Sequence, residues 1–240
     1  MAAIKAFILD LDGVITDTAE YHFRAWKRLA DEEGIPFTRE DNEALRGVSR
    51  RESLNRLLKG RAISDEVAEA WMARKNAYYR ALISEITPDS LLPGALDFLN
   101  QARAHGLKLA VGSASKNTRD VLRGLGLLDF FDAIGDGHSV SRTKPAPDLF
   151  VWTAGRLGFP PGECVVFEDA EAGVEAALTA GAYCVGIGPA ERVGGAHIVL
   201  PNGLCDITVE RLLARLERLA PLAGEEIARP AAQRRSADDR

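Results

Sequence analysis

The segment Phe7-Ile8-Leu9-Asp10-Leu11-Asp12-Gly13 ends an apolar run in two aspartates spaced i, i+2 and a glycine. In an extended chain alternate side chains share a face, so Asp10 and Asp12 point toward one spot while Leu9 and Leu11 turn into the core. Two carboxylates so placed repel each other. A divalent cation relieves the repulsion, and Mg²⁺ takes one or two protein carboxylates together with waters and phosphate oxygens. The pattern therefore points to phosphoryl chemistry, set against the plainer reading of an acidic turn after a strand. Val165-Val166-Phe167-Glu168-Asp169 repeats the device, an apolar run ending in carboxylates, although Asp169 also reads as the N-cap of the next helix.

Two more stations could serve the same chemistry. Gly112-Ser113-Ala114-Ser115-Lys116-Asn117 offers hydroxyls and backbone N–H groups at a helix start, where they can hold phosphate oxygens or simply cap the helix. Thr143-Lys144-Pro145-Ala146-Pro147-Asp148 fixes a cation in a proline-bracketed loop. From there Lys144 could offset the charge of a nucleophilic carboxylate and of a transferring phosphoryl group, or be a solvated loop lysine. Asp10, Asp12, Glu168 and Asp169 together make a hard-oxygen Mg²⁺ site, with Lys144 and Ser113 beside it.

These stations need a scaffold that brings distant strand ends to one edge. Short apolar runs at Ala6 to Leu9, Leu107 to Val111, Ala133 to Ile134, Cys164 to Phe167 and Ala182 to Ile187 read as buried strands. Amphipathic stretches at Ala95 to His105, Thr118 to Leu125, Asp148 to Leu157 and Ala170 to Ala180 read as helices between them. Alternation of this kind predicts an α/β fold, a parallel sheet covered on both faces that binds ligands at the carboxyl ends of its strands. From Thr16 to Thr87 the pattern changes to helices alone, at Ala19 to Glu33, Arg39 to Leu45, Arg50 to Leu58 and Ser64 to Ile83. The expectation is a core of residues 1–15 and 88–222 with a helical cap inserted at 16–87, closing on two chain crossings. Beyond Gly224 the polar tail, within residues 223–240, reads as disordered.

At 240 residues the chain can bury a sizeable core, and a net charge of -5 gives no electrostatic footprint for nucleic acid or an acidic membrane. No apolar run reaches the roughly 18 residues a membrane span needs, and no basic, then apolar, leader opens the chain. The expectation is a cytoplasmic monomer acting on small molecules. Cys164, Cys184 and Cys205, odd in number and widely spaced, read as reduced thiols packed as small hydrophobes.

In this order the stations resemble the haloacid dehalogenase superfamily, whose phosphotransferases carry an Asp-X-Asp-Gly strand end, a Ser or Thr, a Lys and a paired acidic motif. That resemblance implies a Rossmann-like core with an inserted helical cap. The longer run from Asp10 to Lys27, with Gly47-Val48-Ser49-Arg50, Ser113 to Asn117 and Lys144 to Asp148, is similar to the sugar-phosphate mutases of the superfamily. It implies Asp10 as nucleophile forming an aspartyl phosphate and Asp12 as general acid and base. Mg²⁺ would be held by Asp10, the Asp12 backbone carbonyl and Asp169, with Glu168 contributing. The implied reaction interconverts β-D-glucose 1-phosphate and D-glucose 6-phosphate through the 1,6-bisphosphate.

A mutase also needs a second anion site that does no chemistry, and Arg50, Ser115, Lys116 and Asn117 suit it, Arg50 gripping phosphate from the cap. Thr18, His22, Trp26, Val48 and Lys75 are implied around substrate or hinge, with Trp26 either facing a sugar ring or packing in the core. His105, His138 and His197 receive no role. Arg51 follows Arg50 where the family tends to place an acid, which leaves the anchoring arginine open. The loop Gly135 to Ser139 has no assigned role. The rival readings are a sugar-phosphate phosphatase of the same superfamily and a phosphosugar sensor without turnover.

Overall fold

A computed structural model describes residues 3–219, so the expected disordered tail lies outside the described residues. Six strands form one parallel sheet: β1 (Ala6–Leu9), β2 (Lys108–Gly112), β3 (Ala133–Gly135), β4 (Cys164–Glu168), β5 (Tyr183–Ile187) and β6 (Ile198–Leu200), in the order β3-β2-β1-β4-β5-β6. The order of connection reverses between β1 and β4: from β1 the chain steps outward to β2 and β3, then returns to β4 on the other side of β1. Such a switch point opens a crevice beyond the carboxyl ends of the two strands, and Asp10 and Asp169 follow directly on those ends.

The period of two decides which helix covers which face. Phe7 and Leu9 of β1 join a core with α5 (Ala95–Ala104), α6 (Thr118–Gly124) and α10 (Val209–Glu217). Ala6 and Ile8 join a second core, built with smaller side chains, with α7 (Asp148–Leu157), α8 (Glu171–Thr179) and α9 (Ala190–Val193). The rings of Phe7, Phe98 and Phe167 lie 5.0 to 5.8 Å apart at the centre of the first. β6, α9 and α10 are additional to the elements expected from the sequence. α10 nevertheless carries a signal, Thr208 as N-cap followed by Val209, Leu212 and Leu216 at helical spacing, all buried and each stabilising by about 1.5–3 kcal/mol.

Between β1 and β2 stand α1 (Ala19–Glu32), α2 (Arg39–Glu43), α3 (Arg50–Leu58) and α4 (Asp65–Ile83). Thr38, Ser49 and Ser64 each accept a backbone N–H at the first turn of α2, α3 and α4, which starts these helices where the serines and threonine stand. Trp26 and Leu29 of α1, Leu54 and Leu57 of α3, and Trp71 and Met72 of α4 close a core separate from those on the sheet. The two crossings to this cap are tied together: Thr16 Oγ1 donates to the Ser90 carbonyl at 2.6 Å and Leu92 N donates to the Ile15 carbonyl at 2.9 Å. Among the described residues no helix is long and apolar enough to cross a membrane. Cys164 and Cys184 are free and buried, and burial pushes the Cys164 thiol up to about 12. Cys205 departs from the expectation, because it stands exposed in the short turn before α10.

Candidate active site

Asp10, at the first position beyond β1, is 5% exposed and its carboxylate accepts from Lys144 Nζ at 2.7 Å. Lys144 also donates to Glu168, and both are buried. Burial works against the lysine's charge, but Asp10 and Glu168 hold its proton more tightly than water would. Burial likewise raises the Glu168 carboxyl, with Lys144 pulling the other way. Removing one partner of such a buried set leaves an uncompensated charge, at a cost of about 3–5 kcal/mol.

Carboxylate oxygens of Asp10, Glu168 and Asp169 lie within 4.8 Å of one another. Burial and the Asp10 charge push Asp169 up to about 6. Three converging buried carboxylates form a hard-oxygen donor set, which fits a divalent cation. The backbone makes room for the set. Gly173, in the first turn of α8, has a hydrogen where a Cβ would lie 2.0 Å from the Glu168 carboxyl carbon, and Gly13, with φ +75°, faces Asp169 Oδ2 in the same way at 2.2 Å. Asp169 caps no helix. The N-cap of α8 is Ala170, whose N–H donates to Glu168 Oε2 at 3.2 Å, which leaves Asp169 turned to the cluster.

Asp12 stands apart from that group. Its side chain accepts from the buried Thr18 hydroxyl, and burial followed by the Asp10 charge pushes its carboxyl up to about 7. A carboxyl so poised exchanges a proton readily at neutral pH. Beyond it, Lys75 Nζ meets His22 Nδ1 at 2.9 Å, and burial holds the pKa of each well below its ordinary range. Lys75 also lies 4.8 Å from the Trp26 ring centroid and 4.7 Å from that of Tyr79. Trp26, 2% exposed, packs in the cap core with the ammonium over its ring.

Asp10, Asp12, His22, Trp26, Val48, Arg50, Lys75, Ser113, Ser115, Lys116, Asn117 and Asp169 border one cavity of about 520 Å³. Thr18, Lys144 and Glu168 stand behind that wall, through their bonds to Asp12 and Asp10. Arg51 borders the cavity too, and the two neighbouring arginines differ in their partners. Arg51, half exposed, pairs with Asp65 at 2.6 Å and lies 3.7 Å from Glu69, whereas Arg50 has no carboxylate within 4 Å among the described residues. Arg50 Nη2 instead donates to Asn76 Oδ1 at 2.8 Å. Of the loop Gly135 to Ser139, Gly137 reaches the cavity wall, and its N–H donates to the Ser115 carbonyl at 3.0 Å. His105 and His197 bond to neighbouring backbone, away from the cavity.

Three residues absent from the sequence reading also reach the site. Arg46 Nη1, from the cap, donates to Asp169 Oδ2 at 3.0 Å. Arg192 Nε donates to the Asp169 carbonyl at 2.6 Å and its guanidinium lies 3.9 Å from Glu43 of the cap. Asn76 bridges Arg50 to Asn117. Nothing local in the sequence marks them, since each acquires its partner only through the packing of cap on core.

A parallel sheet with this strand order, a helical insertion after β1 and a carboxylate–lysine cluster at the switch point define a phosphoryl-transfer class of protein, and the chain belongs to the haloacid dehalogenase-like hydrolase family, whose model matches residues 4–181. Within it the chain is 43% identical to the β-phosphoglucomutase of Bacillus subtilis (strain 168), over 87% of this chain and 94% of that one. A crystal structure of β-phosphoglucomutase from Clostridium difficile superposes with a TM-score of 0.86 at 39% identity, covering 89% of this chain and 97% of the other. A phosphorylated carbohydrates phosphatase of Thermotoga maritima is 33% identical over 74% of this chain and 82% of its own.

Proposed function

We propose that this enzyme is a Mg²⁺-dependent β-phosphoglucomutase, interconverting β-D-glucose 1-phosphate and D-glucose 6-phosphate through the 1,6-bisphosphate, with the 16–87 insertion as its cap. The observation that carries the reading is Arg50, a cation without a carboxylate partner among the described residues, which borders the same cavity as Asp10 but lies outside its cluster. Transfer of one phosphate needs one anion site; a substrate phosphorylated at both ends needs two. The likeness to the Bacillus and Clostridium mutases supports the same reading.

Asp10, the Asp12 carbonyl, Glu168 and Asp169 would hold Mg²⁺, which when bound withdraws charge from the phosphoryl oxygens. An Asp10 carboxylate oxygen attacks phosphorus, forming an acyl phosphate as the bond from phosphorus to the sugar oxygen breaks. The Asp12 carboxyl proton passes to that leaving oxygen. In the return step a hydroxyl of the sugar attacks the phosphoryl group on Asp10, its proton goes to the Asp12 carboxylate, and Asp10 is released. Lys144 remains paired with Asp10 and Glu168 and offsets the charge that builds between nucleophile and phosphate. Ser113, 2% exposed and on the cavity wall, is a hydroxyl donor for phosphoryl oxygens. Arg50 and Lys116 take the second phosphate, and Arg50 as part of the cap draws it onto the core and keeps water from the phosphorylated aspartate.

Incubation with β-D-glucose 1-phosphate, Mg²⁺ and a trace of the 1,6-bisphosphate should yield glucose 6-phosphate. Steady release of inorganic phosphate in its place would favour the second reading, a sugar-phosphate phosphatase, which the Thermotoga relative supports. Asp12→Ala should lower turnover by about 10²–10⁴ while Mg²⁺ binding, followed by calorimetry, persists. Retained turnover would defeat the assignment of the proton shuttle.

A further inference from the structure

Asn76 does not border the cavity, yet its Oδ1 accepts from Arg50 Nη2 at 2.8 Å and from Asn117 Nδ2 at 2.9 Å. Arg50 opens α3 in the cap, Asn76 lies on α4 of the cap, and Asn117 is the N-cap of α6 in the core. One carbonyl oxygen has two lone pairs, and here both are used, one for each side of the cap–core boundary. A guanidinium carries five N–H donors and an amide nitrogen two, so both partners keep N–H groups for an anion. The chemical identity of the acceptor matters as much as its place. A carboxylate there would neutralise Arg50 and repel an incoming phosphate; an alkyl group would leave the guanidinium unheld. An amide oxygen holds the cation and leaves its charge intact.

We infer that Asn76 is a positioning residue for the non-reacting phosphate: it aims Arg50 and Asn117 at the same anion and makes their alignment depend on the cap resting on the core. The inference rests on the proposed function, in which Arg50 and Asn117 take that phosphate. It adds a residue that touches neither phosphate nor sugar and acts only through its two donors. Binding of a second phosphate and cap closure are then one event, because the shared acceptor is complete only when α4 meets α6.

Asn76→Ala and Asn76→Asp would be assayed with two phosphoryl donors: the 1,6-bisphosphate as activator of the mutase reaction, and acetyl phosphate, which lacks a second phosphate, followed by phosphate release. In Asn76→Ala the concentration of bisphosphate needed for half-activation should rise about tenfold to hundredfold, the usual scale for a hydrogen bond to a charged group, with the acetyl phosphate rate within twofold of the parent. Asn76→Asp keeps both lone pairs and the volume of the side chain. It should nevertheless be the weaker of the two toward the bisphosphate, since its carboxylate pairs with Arg50. A purely structural role predicts the opposite order, and that order, or an equal loss with both donors, would overturn the inference. If the unaltered enzyme needs as much bisphosphate as acetyl phosphate, the two-phosphate reading itself fails, independently of the variants.

Discussion

Arg50 and Arg51 are adjacent in sequence and opposite in circumstance. Both border the cavity, but Arg51 Nη2 already meets the Asp65 carboxylate, while Arg50 is held by an uncharged amide. Arg51→Ala should therefore change stability by less than about 1 kcal/mol and leave the KM for β-glucose 1-phosphate in place. Arg50→Ala should raise that KM about tenfold to hundredfold, as read from steady-state kinetics. Sequence alone could not rank the pair, because the ranking depends on Asp65 and Asn76, which only folding brings near. Asp10 and Asp12 were legible as a pair of carboxylates closing an apolar run, a local signal, although β1 ends at Leu9 and the Asp12 side chain turns to Thr18 instead of joining Asp10 in the cluster. Arg46 lay beyond such signals, since 123 positions separate it from Asp169. Gly173 makes a sharper case, since its role is to be absent. Gly173→Ala would drive a Cβ into the Glu168 carboxyl group and should lower stability by about 1–3 kcal/mol and weaken Mg²⁺ binding, measured by thermal melting and calorimetry.

At the scale of elements, α1 and α4 of the cap bring together His22 and Lys75, and neither can be fully charged at neutral pH without cost. The groups facing Lys75 are His22 on α1, Tyr79 on its own helix, Arg50 on α3 and Asp12 at the strand end. Folding lowers the lysine's pKa, so the unfolded chain binds more protons over the window between the folded value and the free-chain value of 10.5. Stability from this position must rise with pH across that window. Lys75→Met should raise the melting temperature at pH 7, by the equivalent of about 0.5–2 kcal/mol, while impairing turnover. The advantage should shrink as the pH approaches 10.5, and a constant advantage across pH would contradict the depressed pKa. The helices of the cap were readable from their periodicity. β6 and β3, three residues each at the two sheet edges, are both too short to present a period, and only β3 had a place in the expected alternation of strands and helices.

For the whole molecule, the strand order places every acidic station at one edge, and the cap closes against that edge through Arg46, Asn76 and the Glu43–Arg192 pair. A cation bound among Asp10, Glu168 and Asp169 would engage the folded state alone. At a hundredfold excess over its dissociation constant Mg²⁺ should stabilise the protein by about 2.7 kcal/mol, a rise of roughly 5–11 °C in melting temperature for a domain of this size. Chelation should reverse the rise, and Asp169→Ala should abolish it. The tied crossings carry a different consequence. Because Thr16 and Leu91 stand side by side, the chain leaves and rejoins the sheet domain at neighbouring positions, whatever the length of the segment between them. A descendant could exchange the whole helical segment for another at this seam without rerouting a single strand, inheriting its reaction from the sheet and acquiring new substrates with the replacement.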